Sequence, residues 1–138
     1  CGVGPFALRI AETAKVTAVD ADGPSIAALR AAANTTQGLK PVETLARDLF
    51  RNPHAPAELG RYDAVVLDPP RAGAAAQAAE LATAPKTLRT IVYVSCDPGT
   101  FARDAAVLAG GGWRLETVTP VDQFAWSAHV EIVGVFRR

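Results

Sequence analysis

Short, largely apolar runs alternate along this sequence with longer segments of helical periodicity, and that alternation restricts the fold more than any other feature. The runs "KVTAVD", "PVETLARD", "YDAVVLD" and "TIVYVS" read as strands, while "PFALRIAETA", "GPSIAALRAAAN", residues 74 to 83 and the segment behind Cys96 read as helices. Proline is tolerated at the start of a helix because the first-turn N–H groups have no intrahelical partner, so Pro5, Pro24 and Pro98 mark helix starts. Two prolines cannot continue a ladder, so Pro69 and Pro70 end "YDAVVLD". The proline-bearing stretch "RNPHAPAELGR" reads as a loop. In the last helix Asp97 is the expected N-cap, Phe101, Ala105 and Leu108 form the apolar face, and Gly110, Gly111 and Gly112 stop it. The runs "WRLETVTP" and "HVEIVGVF" are joined by a loop rather than a helix and are expected to run antiparallel.

Strands separated by helical crossovers imply an α/β fold with a mostly parallel sheet covered on both faces and an antiparallel last strand. In such sheets ligands lie beyond the carboxyl ends of the strands. Asp20, Asp48, Asp68 and Cys96 each follow a strand, so they are expected to share one rim. With 138 residues, 49% of them hydrophobic, the chain is sized for one core, and a single domain over residues 1–138 is expected. Fourteen basic residues balance fourteen acidic ones, which argues against a surface that holds a polyanion unaided. The two cysteines, Cys1 and Cys96, make no disulfide framework, and no secretory leader, bilayer-length span or lipidation signal is present, so a cytoplasmic setting is expected.

The opening "CGVGPFA" carries Gly2 and Gly4, with Ala7 at the third position of a glycine fingerprint. Glycines permit a tight turn and close approach of a ligand, and the helix behind them presents unpaired N–H groups. Asp20, ending the next apolar run, is placed to accept hydrogen bonds from ribose hydroxyls; Asp22 is a rival that also suits capping of the next helix. These residues alone fit a dinucleotide site as well as a methyl-donor site, and a plain strand-to-helix turn as well. A fingerprint of this kind needs a strand in front of it, and methionine is absent even at position 1. The expectation is therefore a C-terminal part of a longer protein whose first, central strand is missing.

Two strand ends carry chemistry. "DPPRAG" holds a carboxylate, Asp68, at a strand tip made rigid by prolines, with Arg71 beyond; the simpler alternative is a turn aspartate and a solvated cation. Cys96 sits at the end of "IVYVSC" beside a helix N-terminus, which favours thiolate, although a lone cysteine is more often buried filler. Asp97 opposes thiolate formation unless it is occupied in capping. At the start of the final strand His129 and Glu131 lie two residues apart and so face the same side. Glu131, flanked by Val130 and Ile132, suits proton abstraction; the alternative is an edge-strand charge that discourages aggregation.

Taken together, "CGVGPF", "DPPRAG", "VYVSCDPGTFARD" and "DQFAWSAHVE" resemble, in order and spacing, the S-adenosylmethionine-dependent RNA 5-methyluridine methyltransferases that modify tRNA or 23S rRNA. The resemblance implies a Rossmann-like class I methyltransferase sandwich of three layers. It implies Cys96 as the nucleophile at C6 of the target uracil and Glu131 as the base that removes the C5 proton. Asp68 and Arg71 are implied at the target base, and Gly2, Gly4, Asp20, Asp48 and Asp68 at S-adenosylmethionine, with Asp48 on the adenine side. RNA is the implied partner, with no membrane and no metal in this segment. Uracil is favoured over cytosine because "DPPR" lacks the second cysteine of RNA cytosine-5 enzymes. Where the family has proline after the phenylalanine and threonine before "HVE", this chain reads Phe124-Ala125-Trp126-Ser127-Ala128. A nicotinamide-dependent oxidoreductase, supported by the glycines and Asp20 alone, and a non-catalytic interaction module are the competing readings.

Overall fold

A computed structural model describes residues 1–122 and 130–138. They gather into two compact units, Cys1–Asn52 and Pro53–Arg138.

The first unit contains α1 (Pro5–Ala11), β1 (Val16–Asp20), α2 (Gly23–Thr35) and β2 (Val42–Ala46). The strands β1 and β2 are parallel, in register from Val16 opposite Val42 to Asp20 opposite Ala46. Its core is Ala7, Ala18 and Leu29, with Cys1, Leu8 and Val16 packed against it. Gly4 caps α1 with a left-handed φ of 89°. A side chain there would also collide with Leu29 of α2, so both backbone conformation and packing demand glycine. Pro5 follows in the first turn of α1, as expected. Asp22 caps α2, its carboxylate accepting the Ser25 N–H at 2.9 Å, so the rival ribose candidate is a capping residue.

The second unit runs α3 (Pro56–Leu59), β3 (Ala64–Leu67), α4 (Ala75–Ala82), β4 (Thr90–Ser95), α5 (Pro98–Gly110), β5 (Arg114–Val121) and β6 (Glu131–Arg137). The single turn α3 forms inside the stretch expected to be loop, because Glu58 reaches back to accept the Ala55 N–H at 2.9 Å and holds the helix start. The sheet order is β3-β4-β6-β5. β3 is parallel to β4, while β6 lies between β4 and β5 and runs antiparallel to both. The antiparallel last strand is thus present, inserted rather than at the sheet edge.

Alternation along β4 and β6 explains the packing. Ile91, Tyr93 and Ser95 on β4, and Ile132 and Phe136 on β6, are buried. They join Leu81 of α4 and Phe101 and Leu108 of α5, apart from Ser95, in one apolar cluster. Gly134 lies on the same face because Phe101 rests on it: a Cβ at 134 would lie 2.6 Å from the Phe101 ring. Phe101 and Leu108 of α5 are buried and Ala105 packs against the same cluster, as expected. Beside them Asp104 is buried as well, a carboxylate bonded to the groups described below. The edge strand β5 is exposed along its length and carries a β-bulge and the Arg114–Glu116 pair at 2.7 Å, features that discourage edge-to-edge pairing.

Candidate functional site

In the first unit, Asp20 ties the glycine turn to the end of β1. Its Oδ2 accepts the Gly2 N–H at 2.8 Å and the Cys1 amino group at 2.7 Å, and its Oδ1 accepts the Asp22 N–H at 2.9 Å. Partial burial works to raise its pKa, but these hydrogen bonds and the positive amino group outweigh it and hold the carboxyl at about 2. Asp20 is therefore an anion at any physiological pH. A carboxylate has about four lone-pair directions, so three N–H donors leave room for one more. Gly2, at φ 52°, has nothing within 4 Å of where a Cβ would stand, so the turn is open on that side.

Asp48 lies just past β2, where its Oδ1 accepts the Phe50 N–H at 2.9 Å and the Arg51 N–H at 3.3 Å. These bonds fold residues 48–52 into a turn, closed by the Asn52 N–H donating to the Asp48 carbonyl at 2.8 Å. Because β1 and β2 are parallel and in register, Asp20 and Asp48 leave their sheet at the same end.

In the second unit, β3 runs parallel to β4 and ends with Leu67 opposite Tyr93, two residues before β4 ends at Ser95. Asp68 and Arg71 therefore follow β3 at the end where Cys96 follows β4. The antiparallel register of β4 and β6 closes with Ser95 opposite Ile132. One residue further out on each chain stand Cys96 and Glu131. Two residues far apart in sequence are thus brought to the same end of this sheet, where Ser95 pairs with Ile132. Asp68, Arg71, Cys96 and Glu131 all belong to one end of this four-stranded sheet.

Asp97 behind the thiol is occupied. Its Oδ1 accepts the Thr100 N–H at 2.9 Å, and that bond, aided by Arg71 at 4.0 Å, lowers the pKa of its carboxyl. Ser95 Oγ accepts the Asp97 N–H at 3.2 Å and donates to the Asp97 carbonyl at 3.1 Å, which fixes the bend through Cys96. Cys96 is a free, partly buried thiol directly before α5. His129, Trp126 and Ser127 lie outside the described residues. Among the described residues no group of three or more His, Cys, Asp or Glu could hold a metal ion, and no helix is long and apolar enough to cross a membrane.

Sequence reasoning missed a buried network. Asp104, fully buried, accepts the Tyr93 hydroxyl at 2.6 Å and the Ala74 N–H at 2.7 Å on Oδ2, and Arg103 Nε at 2.8 Å on Oδ1. Burial, then the adjacent carboxylate, raises the pKa of the Tyr93 phenol, so it stays a donor. The available signal was an acid three residues beyond Phe101, on the buried stripe of an amphipathic helix.

The architecture defines a class first. The chain is an α/β protein with the fold of S-adenosylmethionine-dependent methyltransferases: it superposes on one from Methanosarcina mazei with a TM-score of 0.69, covering 100% of this chain and 89% of that one at 13% identity. The tRNA (uracil-5-)-methyltransferase family model matches residues 1–138, and the chain belongs to that family. It is 56% identical over 138 residues to an uncharacterized RNA methyltransferase of Brucella suis, covering 100% of this chain and 33% of the relative. It is 40% identical over 145 residues to a 23S rRNA (uracil(1939)-C(5))-methyltransferase of Hahella chejuensis, covering 100% of this chain and 32% of that protein. The chain thus spans about a third of the length of the curated relatives it matches. Family membership leaves the nicotinamide alternative without support.

Proposed function

We propose that the protein to which this chain belongs transfers a methyl group from S-adenosylmethionine to C5 of a uridine in tRNA or 23S rRNA, in the cytoplasm, through a covalent adduct between Cys96 and C6. Both units are read as parts of one catalytic domain. The observation that most directly supports the reading is the β4/β6 register, which ends with Ser95 opposite Ile132, each one residue from Cys96 and Glu131. Family membership supports the reaction class.

Uracil C5 is a weak nucleophile while the C5–C6 double bond is intact. The Cys96 thiolate adds to C6, the electron pair of the double bond becomes enolate-like, and C5 turns nucleophilic. Cys96 stands directly before Asp97, the residue that caps α5. Gly2, Gly4, Asp20, Asp48 and Asp68 would hold S-adenosylmethionine, which supplies an electrophilic methyl group. Asp68 and Arg71 orient the uracil. Glu131 then takes the C5 proton; the pair left on C5 restores the double bond and expels the thiolate. The target base must leave its stack for a thiol to reach C6.

The test is a covalent trap on the full-length parent. With RNA bearing 5-fluorouridine, fluorine replaces the proton that Glu131 would remove, so a donor-dependent adduct should accumulate and survive denaturing gels. Cys96→Ala should form none. With ordinary uridine RNA, Glu131→Gln should accumulate an adduct that the unsubstituted parent releases. An adduct in Cys96→Ala, or none in either protein, rejects Cys96 as the nucleophile. The isolated 138-residue chain is expected to be weak or inactive.

A further inference from the structure

The loop after β3 bears Asp68 and Arg71, yet among the described residues it is not held by β3 alone. Its main chain is bonded to α5 at successive points. The Arg71 carbonyl accepts Thr100 Oγ1 at 3.0 Å, the Ala72 carbonyl accepts Arg103 Nη2 at 3.0 Å, and the Ala74 N–H donates to Asp104 Oδ2 at 2.7 Å. Within the loop the Gly73 N–H donates to the Pro70 carbonyl at 2.8 Å. Gly73, at φ 76°, lies flat on these groups: a Cβ would fall 2.6 Å from Arg103 Nη2 and 2.7 Å from Asp104 Oδ2. Asp104 also accepts the Tyr93 hydroxyl from β4 at 2.6 Å. One fully buried carboxylate therefore joins β4, α5 and the loop. A buried anion is costly unless every lone pair is engaged, so this arrangement holds its partners in a single geometry.

We propose that Arg103 and Asp104 are positioning residues for the reaction: they clamp the loop of residues 70–74, and with it Asp68 and Arg71, to the helix that begins directly behind Cys96. The clamp rests on the reading of Cys96 as the nucleophile. A small displacement of orienting groups is enough to slow a covalent step by roughly 100-fold. Arg103 is the better first target because its side chain is 47% exposed whereas Asp104 is fully buried.

The experiment is single-turnover adduct formation by the full-length parent on 5-fluorouridine RNA, comparing Arg103→Ala, Arg103→Lys, Thr100→Val and Cys96→Ala. The amplitude reports the fraction of protein correctly folded, and the rate constant reports alignment, which a merely structural role would not move. Arg103→Ala should lower the rate constant by roughly 10-fold to 100-fold with little change in amplitude. Thr100→Val, which removes the separate bond to Arg71, should lower it by a smaller factor, and Arg103→Lys should recover part of the loss. Rate constants for Arg103→Ala and Thr100→Val within about twofold of the unsubstituted parent, with Cys96→Ala inert, would overturn the clamp alone. Adduct formation by Cys96→Ala would instead overturn the underlying assignment of the nucleophile.

Discussion

Asp20 shows how one carboxylate ties a glycine turn to a strand end. Its pKa of about 2, against 3.8 unfolded, means the folded state favours the anion. That difference corresponds to about 2 kcal/mol of stability. For a depressed carboxyl the contribution is complete above 3.8 and is lost as pH falls through about 2. Asp20→Asn in this chain should accordingly lower the unfolding free energy by about 2 kcal/mol at pH 7, with the deficit shrinking in urea titrations carried out below the unfolded pKa. A deficit that stayed constant down to pH 2 would contradict the hydrogen-bond account. The residue was legible as an acceptor because it ends an apolar run. Its three N–H partners were not, since they come from a glycine turn and a helix cap whose approach depends on three-dimensional packing.

Among elements, the contact between α5 and β6 is the most sharply specified. Phe101 occupies the space that any side chain at 134 would need. Gly134→Ala should therefore destabilise the chain by about 1–3 kcal/mol, as overpacking does. Combining it with Phe101→Leu should cost less than the sum of the two single changes, measured by denaturant unfolding as a double-mutant cycle. Strict additivity would show that the ring moves aside freely. Proline starts, the Asp97 cap and the "YDAVVLD" stop all appear in the structure where local chemistry demands them. Asp104 inverts the rule that a buried helix stripe is apolar, because its partners come from a strand and a loop remote in sequence.

At the scale of the whole molecule, charge and length matter most. A chain with no net charge that spans about a third of its relatives offers few phosphate contacts. By itself it should bind RNA with a dissociation constant on the order of 10⁻⁴ M or weaker at physiological salt, measured by fluorescence anisotropy, and far more weakly than the full-length parent. Nanomolar binding by the chain alone would contradict this. Periodicity, proline placement and capping residues act within a few positions of one another, so the sequence by itself determined the order of helices and strands apart from the single turn α3, the α/β class and the strand-end candidates. Which strands become neighbours is decided by long-range pairing and burial. Only the tertiary structure inserted β6 between β4 and β5, set Ile132 across from Ser95, and drew the loop after β3 onto a carboxylate in α5, because those contacts join segments that no local pattern connects.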